Sequence, residues 1–118
     1  MSTAKSYRWS ELKTDTPMPL LERQRIIGTQ AMLSRVTLKR GCYVPTHSHA
    51  NEQFACTLSG KLKFILGEST PREVIVAAGE VLHLPSNLPH SAEALEDTIV
   101  LDIFSPPSQT TGIDRPRP

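Results

Sequence analysis

Short segments in which apolar and polar residues alternate recur along this 118-residue chain, separated by glycine, proline and asparagine. Side chains of a strand point alternately to its two faces, so this alternation predicts half-buried strands. Val36 and Leu38 share one face, with Arg35, Thr37 and Lys39 on the other, and Gly41 closes the segment. Leu62, Phe64 and Leu66 alternate with Lys61, Lys63 and Ile65, and Val74 and Val76 share one face of a further strand. Leu20 to Ile27 mixes charges with apolar residues and reads as a strand ending at Gly28. Residues 53–58 and 61–66 predict a hairpin joined at Ser59-Gly60, and residues 91–95 and 98–104 predict another around Glu96-Asp97. Thr98-Ile99-Val100-Leu101 is the most apolar run and is expected at the centre of a sheet. Many short strands with turn signals every 8–12 residues or so indicate an all-β sandwich or barrel.

The two ends differ from this middle. Residues 1–21 are polar, carry Pro17 and Pro19, and read as an arm with at most one short strand around Tyr7 to Trp9. Trp9, the single tryptophan, is expected to pack on its own subunit or on a partner. Residues 105–118 hold Pro106, Pro107, Pro116 and Pro118 and read as a tail without regular structure. A chain of this length buries one core, so residues 1–118 are expected to form a single domain with a barrel at about 22–104.

Composition narrows the partners. A formal net charge of +1 supplies no field that would draw nucleic acid or a membrane surface. No apolar run approaches the roughly 20 residues that span a bilayer, and the first residues lack the apolar core of a signal peptide. A cytoplasmic protein is expected. Cys42 and Cys56 form no Cys-x-x-Cys pair and read as small packed hydrophobes. Cys42, near the barrel mouth, has a thiolate ligand role as its alternative.

Candidate chemistry concentrates in His47-Ser48-His49-Ala50-Asn51-Glu52-Gln53. Two histidines two apart leave the same face of a strand, and neutral imidazole is the commonest protein ligand of transition metals. With Gln53 facing inward at the start of the next strand, its amide oxygen joins the imidazoles and Glu52 points away. His90 follows the rigid loop Pro85-Ser86-Asn87-Leu88-Pro89. His47, His49, Gln53 and His90 are therefore expected to hold one divalent transition metal ion. His83, between Leu82 and Leu84, reads as an ordinary half-exposed strand residue. Asp102, in the otherwise apolar Val100-Leu101-Asp102-Ile103-Phe104, faces either the interior or solvent.

Gly41, His47, His49 and Gly60 resemble the first motif of the cupins, with Gln53 where that motif usually has Glu. Gly79, Pro85 and His90 resemble the second, with Asn87 in place of the usual Gly and Ala94 in place of the closing Asn. The resemblance covers roughly residues 25 to 105 and implies a single-domain jelly-roll β-barrel. Asn is the residue that best replaces Gly at a positive φ. Three neutral imidazoles and a neutral amide leave the full divalent charge on the metal, whether zinc, nickel, iron or manganese. Such a site attracts an anionic or enolisable oxygen ligand.

With Asp102-x-Phe104-Ser105-Pro106, the chain is most similar to the small metal-dependent cupins that linearise 4,5-unsaturated uronates. That resemblance implies metal ligation by His47, His49, Gln53 and His90, catalytic roles for Asp102 and Phe104, and a homodimer, with the arms adding a strand to the partner's sheet. The group carries an Arg where this chain has Ser108, so the carboxylate contact would have to come from another cation such as Arg35 or Arg115. Two other readings stand beside this one: a cupin dioxygenase using iron, nickel or manganese, and a non-catalytic barrel that holds a small ligand or a structural metal.

Overall fold

Alternation in the sequence becomes alternation in burial. In Met32–Leu38 every second residue, Met32, Ser34, Val36 and Leu38, is buried, and the residues between are half-buried. The same period of two runs through Lys61–Leu66, where Leu62, Phe64 and Leu66 are buried. The computed structural model describes residues 3–108. Their strands are β1 (Asp15–Met18), β2 (Leu21–Ile27), β3 (Met32–Leu38), β4 (Tyr43–His47), β5 (Glu52–Ser59), β6 (Lys61–Leu66), β7 (Arg72–Ala77), β8 (Val81–Leu84), β9 (His90–Ala94) and β10 (Thr98–Ser105).

These strands form two antiparallel sheets, a six-stranded one in the order β1-β2-β3-β10-β5-β8 and a four-stranded one in the order β4-β9-β6-β7. The sheets face each other as a jelly roll around one core that includes Leu21, Val36, Leu38, Leu62, Phe64, Leu84 and Val100. The apolar strand β10 lies inside the large sheet between β3 and β5, as its composition predicts. Pro45 lies on β4, an edge strand, next to an irregularity in the β4–β9 pairing. An edge strand tolerates proline because the missing N–H has no ladder partner to lose.

Both expected hairpins are corners instead. β5 and β6 are consecutive, but β5 belongs to the large sheet and β6 to the small one. β9 and β10 likewise lie in different sheets. Alternation reports which side of a strand faces the core. It is the same whether the next strand lies alongside or across the core, so it does not identify the partner. The two corners touch: a Cβ built on Gly60 would sit 2.4 Å from the Asp97 carbonyl oxygen and 2.4 Å from Thr98 Oγ1. Gly60 has φ +86°, a second reason that position takes glycine.

The arm also departs from expectation. Tyr7 to Trp9 is not a strand; Trp9–Glu11 forms one 3₁₀ turn, and the strand of this region is β1, which extends the large sheet as its edge. Pro17 is tolerated there for the same reason as Pro45. Trp9 packs within its own chain. The Arg35 guanidinium lies 5.9 Å from its ring centre, and the Gln24 side-chain amide donates to its carbonyl at 2.6 Å. Most of the proline-rich tail, Arg115 included, lies outside the described residues. Cys42 is buried, and burial pushes its thiol above the ordinary range, which fits the packed reading. Among the described residues no helix is long and apolar enough to cross a membrane.

Candidate metal centre

Four elements bring the candidate ligands to one end of the barrel. His47 closes β4 and stands directly across from His90, the first residue of β9. Gln53 is the second residue of β5, on the opposite sheet, and is buried. His49 is not on a strand, contrary to the expected two-residue repeat; it follows β4 in the loop to β5. The loop still turns its ring inward, and His49 is only 5% exposed. The second loop holds this first one in place. The Asn87 backbone N–H donates to the His49 carbonyl at 2.8 Å, and the Ser86 hydroxyl donates to the Ala50 carbonyl. Asn87 adopts φ +66°, as its replacement of a glycine predicts.

The three imidazoles converge. Ring centres of His47 and His90 are 4.4 Å apart, those of His49 and His90 5.1 Å, and those of His47 and His49 5.8 Å. Their ligand nitrogens all lie within 4.8 Å of one another. A divalent ion held by all three nitrogens would draw them somewhat closer together than this.

The hydrogen bonds decide which nitrogens are available. His47 Nδ1 lies 2.8 Å from the Pro45 carbonyl, His49 Nδ1 3.0 Å from the Asn51 carbonyl, and His90 Nδ1 2.9 Å from the Leu88 carbonyl. A carbonyl only accepts, so each Nδ1 carries the proton and each Nε2 keeps its lone pair. Metal-ligating histidines are typically held this way, with the other ring nitrogen donating to a carbonyl. Burial, aided by the other two imidazoles, pushes the His90 pKa down to about 4, so its ring is neutral at physiological pH.

Gln53 provides the test of fit. Its amide nitrogen donates to Asp102 Oδ1 at 2.9 Å, which turns its amide oxygen toward His49. That oxygen lies 3.2 Å from His49 Nε2. With the proton on Nδ1, two lone pairs face each other across this gap, an arrangement that a cation between them resolves. Three imidazole nitrogens and one amide oxygen are donors suited to a borderline divalent ion.

Asp102 faces inward. Burial raises its pKa from 3.8 to about 7, against the lowering effect of the Gln53 hydrogen bond. Phe104 is buried, and its ring meets His49 edge to face at 5.6 Å between centres. Glu52 lies on the other strand face, where it pairs with His83 at 2.6 Å, both half-exposed. Their places match the alternation of β5 and β8.

A cavity open at one end runs from this cluster into the barrel. Its far walls are apolar, among them Leu21, Val36, Leu62 and Phe64. Two cations also line it, Arg23 and Arg25 of β2, and the sequence reading missed both. The signal was parity: Arg23 and Arg25 share the face of the fully buried Leu21. Arg35 does not reach the cavity, since it lies on the outer face against Trp9. Ser108 is half-buried and is not among the lining residues.

This β-barrel with three converging histidines is of the cupin class. The model of the Cupin_2 family, the cupin domain, matches residues 34–104, and the chain belongs to that family. Solved structures agree. KdgF from a Halomonas species matches at 25% identity and TM-score 0.79, over 91% of this chain and 97% of that one. An RmlC-like cupin from Shewanella frigidimarina matches at 18% identity and TM-score 0.79, over 91% and 95%. A Bacillus subtilis oxalate decarboxylase structure concerned with its Mn(II) centres matches at 20% identity and TM-score 0.77, over 94% of this chain and 33% of that one. No curated protein sequence matches the chain.

Proposed function

We propose that the protein is a metal-dependent enzyme that opens or isomerises an anionic, enolisable, sugar-derived substrate, with 4,5-unsaturated uronates as the leading class. His47, His49, His90 and Gln53 are its metal ligands, and Asp102 is its proton-transfer group. One observation carries the reading: an inward-facing, half-buried carboxyl group, its pKa pushed up to about 7, is hydrogen-bonded to the fourth donor of an otherwise neutral ligand set. Likeness to KdgF across 91% of the chain supports the same reading.

The divalent ion, when bound, acts as a Lewis acid toward a substrate oxygen. The remaining work falls to the chain's own residues. Gln53 holds Asp102 through Oδ1, leaving the second carboxylate oxygen to exchange a proton with a bound molecule. A carboxyl group whose pKa burial raises accepts and returns a proton near neutral pH more readily than a solvated Asp. Phe104 fixes the His49 ring from the side and offers an apolar face to a sugar ring. The apolar depth of the barrel excludes water from the reacting centre.

Elemental analysis of protein purified without a metal-affinity tag, followed by turnover of unsaturated uronates, tests this. The expected result is close to one divalent ion per chain and loss of the conjugated substrate. Asp102→Asn should keep the metal and lose turnover. Stoichiometric metal with rapid oxygen uptake on a phenol or diketone would replace this reading with a dioxygenase. Metal without turnover of any kind would leave a binding module.

A further inference from the structure

We propose that Arg25 is the carboxylate-binding residue of this cavity, an inference that rests on the reading of the substrate as a sugar acid. The register of the large sheet places it. Arg25 of β2 stands opposite Ser34 of β3, and Ser34 stands opposite Asp102 of β10. Ser34 is buried, so this row faces the barrel interior. Neighbouring strands lie about 4.8 Å apart, which puts the Arg25 and Asp102 backbones about 10 Å from each other. Gln53 lies on β5, the next strand beyond β10. The wall therefore runs from guanidinium to proton-transfer carboxyl to metal-facing amide.

The guanidinium is held but not satisfied. Arg23 takes both oxygens of Asp15, Nε to Oδ1 at 3.1 Å and Nη2 to Oδ2 at 2.7 Å. Arg25 reaches the same carboxylate only through Nη2 at 3.7 Å. Its Nη1 is buried and has no hydrogen-bond partner among the described residues. A buried N–H of a charged group without an acceptor is rare and unfavourable. A planar carboxylate entering the cavity supplies what that fork lacks. A sugar acid whose carboxylate meets Arg25 would lie along this wall, with Asp102 beside its carbons. Arg25 thus provides from β2 the cation that Ser108 cannot, and the site selects acidic over neutral sugars.

The test uses the metal-loaded protein with galacturonate and galactose as probes, read by titration calorimetry, with metal content measured in parallel. The wild type should bind galacturonate more tightly than galactose. Arg25→Gln should weaken galacturonate binding roughly tenfold to a hundredfold, the worth of a charge-assisted hydrogen-bonded pair, and leave galactose binding and metal content unchanged. Arg25→Lys keeps the charge, loses the fork and should fall between; it carries the comparison if the Gln variant does not fold. Wild-type galacturonate affinity in both variants, or a wild type that does not separate the two sugars, overturns the inference. If the variants bind normally while the wild type turns over unsaturated uronates, the carboxylate sits elsewhere and the enzymatic reading stands. If galacturonate depends on Arg25 but nothing is turned over, the subsite stands and the enzymatic reading falls.

Discussion

Asp102→Asn in metal-free protein gives the sharpest test of the site's electrostatics. The carboxyl has an ordinary pKa of 3.8 and about 7 in the folded chain. Between those values the folded state holds a proton that the unfolded state has released. Stability conferred by the neutral form is therefore fully present below pH 3.8, is lost progressively as pH rises to about 7, and stays lost above. The shift is about three units, and at 1.36 kcal/mol per unit the loss reaches about 4 kcal/mol. Water entering through the cavity mouth lowers this, so about 2–4 kcal/mol is expected. Asn keeps an oxygen that accepts from Gln53 and has no charge to bury. Its stability advantage over the wild type should be small at pH 4 and grow to that size by pH 8. About 4 °C per kcal/mol for a chain of this length makes the difference visible in a melting curve.

His90 works in the opposite direction. Its folded pKa of about 4 lies below the ordinary 6.5, so its contribution rises with pH through that window. It is present in both proteins and cancels in the comparison. The assay is chelator-treated wild type and variant, unfolded by urea at intervals from pH 4 to pH 8.5. Parallel stability curves would refute the claim that Asp102 is buried without a compensating charge. Restoring a divalent ion should flatten the wild-type curve, because a nearby cation favours the carboxylate.

Further outcomes follow from the same geometry. His47→Ala and His90→Ala should each lose most of the bound metal by elemental analysis, whereas Glu52→Ala should keep it; loss in Glu52→Ala with retention in Gln53→Ala would mean that β5 is displaced by one residue. Gly60→Ala should lower the melting temperature by several degrees, since it adds a Cβ 2.4 Å from Asp97 and Thr98 at φ +86°; an unchanged melting curve would contradict the contact between the two sheet-crossing corners. The chain is expected to be a homodimer in light scattering at tens of micromolar, because Phe54, Leu58 and Val81 are 39%, 53% and 60% exposed on the outside of the large sheet; a monomer mass would oppose this.

The period-two pattern of the chain by itself determined the inward faces of strands such as β3 and β6 and the central place of Thr98 to Leu101. Those features depend on local geometry, because a strand with one apolar face can bury it in only one orientation. Candidate ligand types were legible too: three histidines and a glutamine between glycine and proline signals are a local chemical statement. The tertiary structure decided the rest. Alternation is blind to which strand lies alongside, so the corners at Gly60 and Asp97 read as hairpins until the two sheets were seen. The Nε2 lone pairs were left to face the cluster only because the Pro45, Asn51 and Leu88 carbonyls occupy the Nδ1 protons. Asp102 gained a neutral-range pKa from burial, which depends on residues distant in the chain. Arg23 and Arg25 looked like the polar half of a charged segment, because a buried guanidinium requires a partner that local pattern cannot reveal. For Arg23 that partner is Asp15, brought beside it by an edge strand eight residues earlier in the chain.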